Sequence, residues 1–214
     1  MAAAGALHLV IPLGSCEQHG PHLPLDVDTR IAVAVAERLV DRRSDLTLGP
    51  TISIGASGEH AGFPGTLSIG AEVLGSMLIE LARSADHFAS VVIVNGHGGN
   101  VSTLAPVAEQ LAGEGRIFRH VNCHVPGGDP HAGWSETSIL LHLAPEVVRM
   151  ELTEVGVTTP WSEIGPQVIA EGFAAVAPNG VLGDPTRATA AAGRELLDGL
   201  VDRLASIVAG WPNE

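Results

Sequence analysis

The stretch "GSCEQHGPHLPLDVDT" (residues 14–29) sets Glu17, His19, His22, Asp26 and Asp28 among Gly20, Pro21 and Pro24. Carboxylates and imidazoles at this density suit Zn²⁺, Fe²⁺ or Mn²⁺. Glu17 and His19 stand two apart where the chain leaves an apolar run. Alternate side chains of an extended segment point the same way, so carboxylate and imidazole converge. Asp28 comes after a proline-constrained excursion, and it or Thr29 also has the character of a helix N-cap. A carboxylate has two oxygens, so one such residue can bridge two ions, which in binuclear sites lie about 3.5–4 Å apart.

Two later segments add to this set. "NGHGGN" (95–100) carries His97. A glycine-rich turn before a helix can cradle phosphate, but no Lys-Ser/Thr follows and the Walker pattern fails. His97 is read as a ligand, with the N–H groups of Gly98 and Gly99 available to steady an oxyanion. "HAGWSETS" (131–138) supplies His131 and Glu136. Glu136 near a helix N-terminus is favoured as the anion, which suits a metal ligand; the alternative is a Ser135 cap with Glu136 solvated. His131 is the acid/base candidate, since imidazole titrates near neutral pH. His60, in "GASGEH", lies within possible reach. His8, His87, His120 and His142 have no such context and read as packing or surface residues.

These segments need elements to hold them. "LHLVIPLG" (7–14) and "SVVIVNG" (90–96) read as strands buried on both faces. Residues 46–55 and 115–123 read as further strands, and helices are predicted over 29–43, 71–88, 101–114, 136–143 and 188–209. The last carries an apolar stripe of Leu196, Leu197, Leu200, Val201, Leu204 and Val208. Alternating strands and helices predict an α/β fold, a mostly parallel central sheet with helices on both faces. Ligands collect at the carboxyl ends of such strands, where all three motifs fall. The Pro- and Gly-rich 144–187 region is read as a lid or an oligomer contact.

The 214 residues suit a single domain, 1–214. With 45% hydrophobic residues, 3% aromatic and no Tyr, the core must be built from Ala, Val, Leu and Ile. A net charge of −13 argues against nucleic acid and against an anionic membrane surface. Cys16 and Cys123 suggest no disulfide scaffold. "MAAAGALHLV" has no basic leader pattern, and no apolar run is long enough to span a membrane, so a cytoplasmic protein is expected.

"IPLGSCEQHGPHLPLDVDT", "VNGHGGN" and "DPHAGWSETS" occur in the order and spacing of the creatininase family of metal-dependent amide hydrolases, which the chain resembles. "LDVDTRIAVAVA", "GASGEHAGFPGTLSIG", "PGGDPHAGWSETSILLHLAPEVVR" and "GVLGDPTRATAAAGRELL" narrow the likeness to members that trim a modified precursor peptide. The resemblance implies a three-layer α/β/α sandwich with two divalent metal ions, iron or zinc, with manganese as a further possibility. It implies Glu17, His19, Asp28 and His97 as ligands, Asp28 as the bridge and His131 as the catalytic histidine. Creatinine-hydrolysing members carry a carboxylate two residues after the histidine matching His97; here that position is Gly99, and Glu136 is the candidate to supply the missing group. The implied partners are the modified precursor peptide, cut before its C-terminal Val-Tyr-derived unit, and further copies of the chain in a homo-oligomer. The alternatives are a creatinine-type amidohydrolase or a non-catalytic metal-containing scaffold. His22 is read as structural or as a support behind the ligands, and Asp26 as shaping the approach to the helix.

Overall fold

The computed structural model describes residues 7–211. Residues 1–6, on which the absence of a leader was partly read, lie outside the described set. Four strands, β1 (His8–Leu13), β2 (Leu46–Leu48), β3 (Ser90–Asn95) and β4 (Phe118–Asn122), form one sheet in the order β2-β1-β3-β4. Every pairing is parallel.

The apolar runs explain the layers. Side chains alternate along a strand. Val10, Val92, Val94 and Val121 therefore pack on one face, against α1 (Val27–Asp41), α4 (Trp134–Leu143) and α7 (Ala190–Ala209). Ile11, Leu13, Val91, Ile93 and Phe118 pack on the other, against α2 (Ala71–Ser84) and α3 (Val101–Gly113). The result is the expected three-layer sandwich, its strands buried on both sides. The α7 stripe is buried at Leu197, Leu200, Val201, Leu204 and Val208, with Leu196 partly so.

The register sets the site. Leu13 lies opposite Asn95, and Asn95 opposite Asn122. Three strands thus end level, and the three motif segments leave from one edge. Gly14 and Gly96 let α1 close on that edge. A Cβ on Gly14 would strike Thr29, and one on Gly96 would strike the Asp28 carbonyl.

Several boundaries differ from expectation. β2 stops at Leu48 because Gly49 and Pro50 follow and proline offers no ladder N–H; Gly49 still donates to the Val10 carbonyl at 2.7 Å, and Ile52 bridges back to Leu13. α1 begins at Val27, so neither Asp28 nor Thr29 caps it; Asp26 holds the cap position and pairs with Arg30 at 2.8 Å. α4 begins at Trp134, and Asp129 rather than Ser135 satisfies its first N–H groups. The 144–187 region holds α5 (Trp161–Glu171) and α6 (Phe173–Val176), whose Ile164, Val168, Phe173 and Ala177 form a small core with Leu182. Among the described residues, no helix is long and apolar enough to cross a membrane.

Candidate metal centre

Glu17 and His19 leave β1 fully buried. The His19 Nδ1–H donates to the Glu17 carbonyl at 3.1 Å, turning Nε2 toward Asp28 Oδ1 at 3.3 Å and Glu136 Oε2 at 4.0 Å. Asp28 reaches in from the first turn of α1, and its Oδ2 accepts from the Ser15 hydroxyl at 2.6 Å. Burial opposes protonation of His19, yet Asp28, Glu136 and Glu17 together raise its pKa to about 9. Burial likewise opposes charge on Asp28, but His19 and His97 hold its carboxyl well below the usual range.

His97 follows β3 on a turn locked by two asparagines. Asn95 donates to the His97 carbonyl at 2.8 Å, and Asn100 bridges the Gly14 carbonyl at 3.1 Å and the Ala56 N–H at 2.9 Å. His97 Nδ1 faces Glu17 Oε2 at 3.1 Å and Asp28 Oδ2 at 3.2 Å. Its Nε2 faces the Ala56 carbonyl and Glu59 Oε1, each at 3.2 Å.

α4 brings the third group. His131 Nε2–H donates to the Gln18 carbonyl at 2.8 Å, leaving Nδ1 toward Glu17 Oε1 at 3.9 Å. Burial, then the neighbouring His19 and His60, push His131 well below its ordinary pKa. Glu136, in the first turn of α4, accepts from the Ala132 N–H at 2.6 Å, and burial raises its pKa to about 7. Ala132 takes φ 53°, a left-handed conformation costly for a residue with a Cβ, as the chain turns from His131 into the helix.

Three sets of donor atoms lie close enough to share an ion: Glu17, Asp28 and His97; His19, Asp28 and Glu136; and Glu17, His19 and His131. Glu17, His19 and Asp28 each belong to two of them, and Asp28 presents one oxygen to His19 and the other to His97. The telling feature is Glu17, fully buried, whose two carboxylate oxygens take no backbone or hydroxyl donor and face only imidazole nitrogens, His97 Nδ1 at 3.1 Å and His60 Nε2 at 3.3 Å. A buried carboxylate left so costs several kcal/mol unless a cation compensates it. The donor set fits a divalent pair.

All six predicted ligand and acid/base residues converge. Gly98 is exposed on the three-ten turn Gly98–Asn100, with Gly99 beside it. Other participants had no separable signal in the sequence. Gln18 sits on the opposite pleat from its neighbours, yet its side-chain N–H donates to His60 Nδ1 at 3.0 Å. That fixes His60 Nε2–H toward Glu17 Oε1, 3.3 Å away. Phe173, from α6, stacks on His60 with ring centroids 4.2 Å apart. Glu59 leaves only one trace in the sequence, an acidic residue beside His60 in a Gly-rich turn. His22 lies outside the three donor sets, its Nε2 2.8 Å from the Thr137 hydroxyl.

This architecture and donor set define a family. The creatininase model, described as creatinine amidohydrolase, matches residues 2–208, and the chain belongs to that family. A crystal structure of creatinine amidohydrolase superposes with a TM-score of 0.80 at 26% identity, over 96% of this chain and 90% of that one. The chain is 50% identical over 212 residues to the mycofactocin precursor peptide peptidase of Mycobacterium ulcerans, covering 95% of this chain and 85% of that protein. The peptidase of the same name from Mycobacterium tuberculosis is 50% identical over 213 residues, with the same coverage.

Proposed function

We propose that the chain is a metal-dependent peptidase of mycofactocin biosynthesis, hydrolysing the amide bond before the modified C-terminal Val-Tyr-derived unit of the precursor peptide. The observation that carries this reading is Glu17, fully buried at the centre of an imidazole and carboxylate cluster, its two oxygens facing only potential metal-ligand side chains and His60. The likeness to two peptidases of that name, across nearly the whole chain, supports a precursor peptide as the substrate. Glu17, His19, Asp28, His97 and Glu136 hold two divalent ions in this reading. Iron or zinc is the proposed occupant, and manganese fits the same donors.

Such a pair, when bound, lowers the pKa of a water and polarises the amide carbonyl. The chain's own residues do the rest. The Gln18 carbonyl holds His131 in the tautomer whose Nδ1 is free and faces Glu17. Burial keeps that nitrogen unprotonated near neutral pH, ready to act as a base. Nδ1 takes a proton from the attacking water as the C–O bond forms, then delivers it to the leaving amine as the C–N bond breaks. The N–H groups of Gly98 and Gly99 steady the oxyanion in between.

The test is a variant series. Glu17→Ala and His97→Ala lose metal and activity together. His131→Ala keeps its metal and loses about 10²–10⁴ in rate; loss of metal from it instead would make His131 a ligand. Creatinine offered in parallel stays uncut.

A further inference from the structure

The slot beside Gly99 is filled by a residue the catalytic reading leaves unused. Glu59 lies in the three-ten turn Gly58–His60, its Oε1 3.2 Å from His97 Nε2. The same nitrogen is 3.2 Å from the Ala56 carbonyl and 3.5 Å from the Ser57 hydroxyl. The carbonyl and the carboxylate can only accept, so Nε2 carries a proton, and Nδ1, facing Glu17 at 3.1 Å and Asp28 at 3.2 Å, is the nitrogen that an ion between those carboxylates would engage in place of a proton.

Gly99 makes room for this arrangement. A Cβ there would overlap Glu59 Oε1 and His97 Nε2 and lie 2.6 Å from the Ala56 carbonyl. No side chain at 99 is compatible with Glu59 in this place. The space where a carboxylate would follow the histidine by two residues is taken by a carboxylate from another loop.

We infer that Glu59 is a positioning residue for the metal centre, holding His97 by its Nε2–H so that Nδ1 is the ligating atom, with Gly99 as the slot that admits it. The inference rests on the metal-binding reading of the site. A carboxylate on the far nitrogen of a ligating imidazole orients the ring and raises its basicity, and losing it costs typically about 10–100-fold in metal affinity. Glu59 touches no ligand but His97 in this role, so its removal weakens metal without abolishing it.

The test is Zn²⁺ affinity, measured against a competing chelator, with thermal melting of the metal-free proteins. Glu59→Ala binds Zn²⁺ about 10–100-fold more weakly than wild type while melting at the wild-type temperature without metal. Glu59→Gln keeps an acceptor oxygen but not the charge, and falls between the two. Wild-type affinity in Glu59→Ala overturns the inference. So does a Glu59→Gln protein as weak as Glu59→Ala whose metal-free melting is also lowered, which would mark a purely structural role. A wild-type protein that takes up no Zn²⁺ removes the metal reading itself, a separate result.

Discussion

At the scale of single residues, the centre is a competition between protons and cations. In the metal-free protein His19 keeps a proton up to about pH 9, since burial is outweighed by Asp28, Glu136 and Glu17. Glu136, half-buried beside Asp28 and Glu17, keeps one up to about pH 7. Both must surrender it to ligate, so metal uptake releases protons and apparent affinity rises with pH through 7 toward 9. Calorimetric titration of Zn²⁺ at pH 6.5, in two buffers of different ionisation heat, counts the protons released. A count of zero would remove His19 and Glu136 from the ligand set. The ligand candidates were legible in the sequence because their residue types are rare together and each follows a strand end. Glu59 and Gln18 were not, because they act through a partner's second nitrogen, and one-dimensional spacing carries no such signal.

At the scale of elements, two devices hold the site. The Asp129 carboxylate accepts from the Trp134 and Ser135 N–H groups, the Ser135 hydroxyl and the Asp184 N–H, at 2.8–3.2 Å. It caps α4 and ties it to the loop after Leu182, which bridges His131. Asp129→Ala should lower stability by about 1–2 kcal/mol in urea denaturation and cut the rate as well, since His131 and Glu136 both hang from this junction. Asp129→Asn, which keeps one acceptor, should lose less of each. His22 clamps the opening loop to α4 through Thr137. Burial, with His19 nearby, lowers the His22 pKa to about 4, so the fold favours its neutral form. Its contribution to stability is complete above pH 6.5 and is lost as pH falls toward 4. His22→Gln should therefore lose less stability than wild type between pH 6.5 and 4; an unchanged slope would assign the acid sensitivity to other groups. Helices and central strands were legible from periodicity and from glycine at strand ends. The start of α4 was not, because its cap comes from Asp129, five residues before the helix, rather than from the adjacent serine.

At the scale of the whole molecule, the sheet is a bench and its carboxyl edge the working surface. Ile93, fully buried in the layer under α2 and α3, stands apart from the ligands. Ile93→Ala should cost about 2–5 kcal/mol in chemical denaturation while leaving metal stoichiometry unchanged. Metal binding should in turn stabilise the fold, by about 2.7 kcal/mol at a free concentration one hundred times Kd, so a chelator lowers the melting temperature. The α/β/α layering was legible from the alternation of buried-strand and amphipathic-helix patterns, with which a core nearly without aromatics and rich in Val, Ile and Leu is consistent. The contribution of α5 and α6 was not, because Phe173 meets His60 and His131 only through the tertiary path of a Pro- and Gly-rich segment. The central claim is that this edge holds metals for peptide hydrolysis. The most direct measurement pairs metal analysis of the purified protein with cleavage of the modified precursor peptide, before and after chelation. The account predicts two divalent ions per chain, release of the C-terminal Val-Tyr-derived unit, loss of cleavage with the metal and recovery on adding it back. Full cleavage by metal-free protein would contradict it.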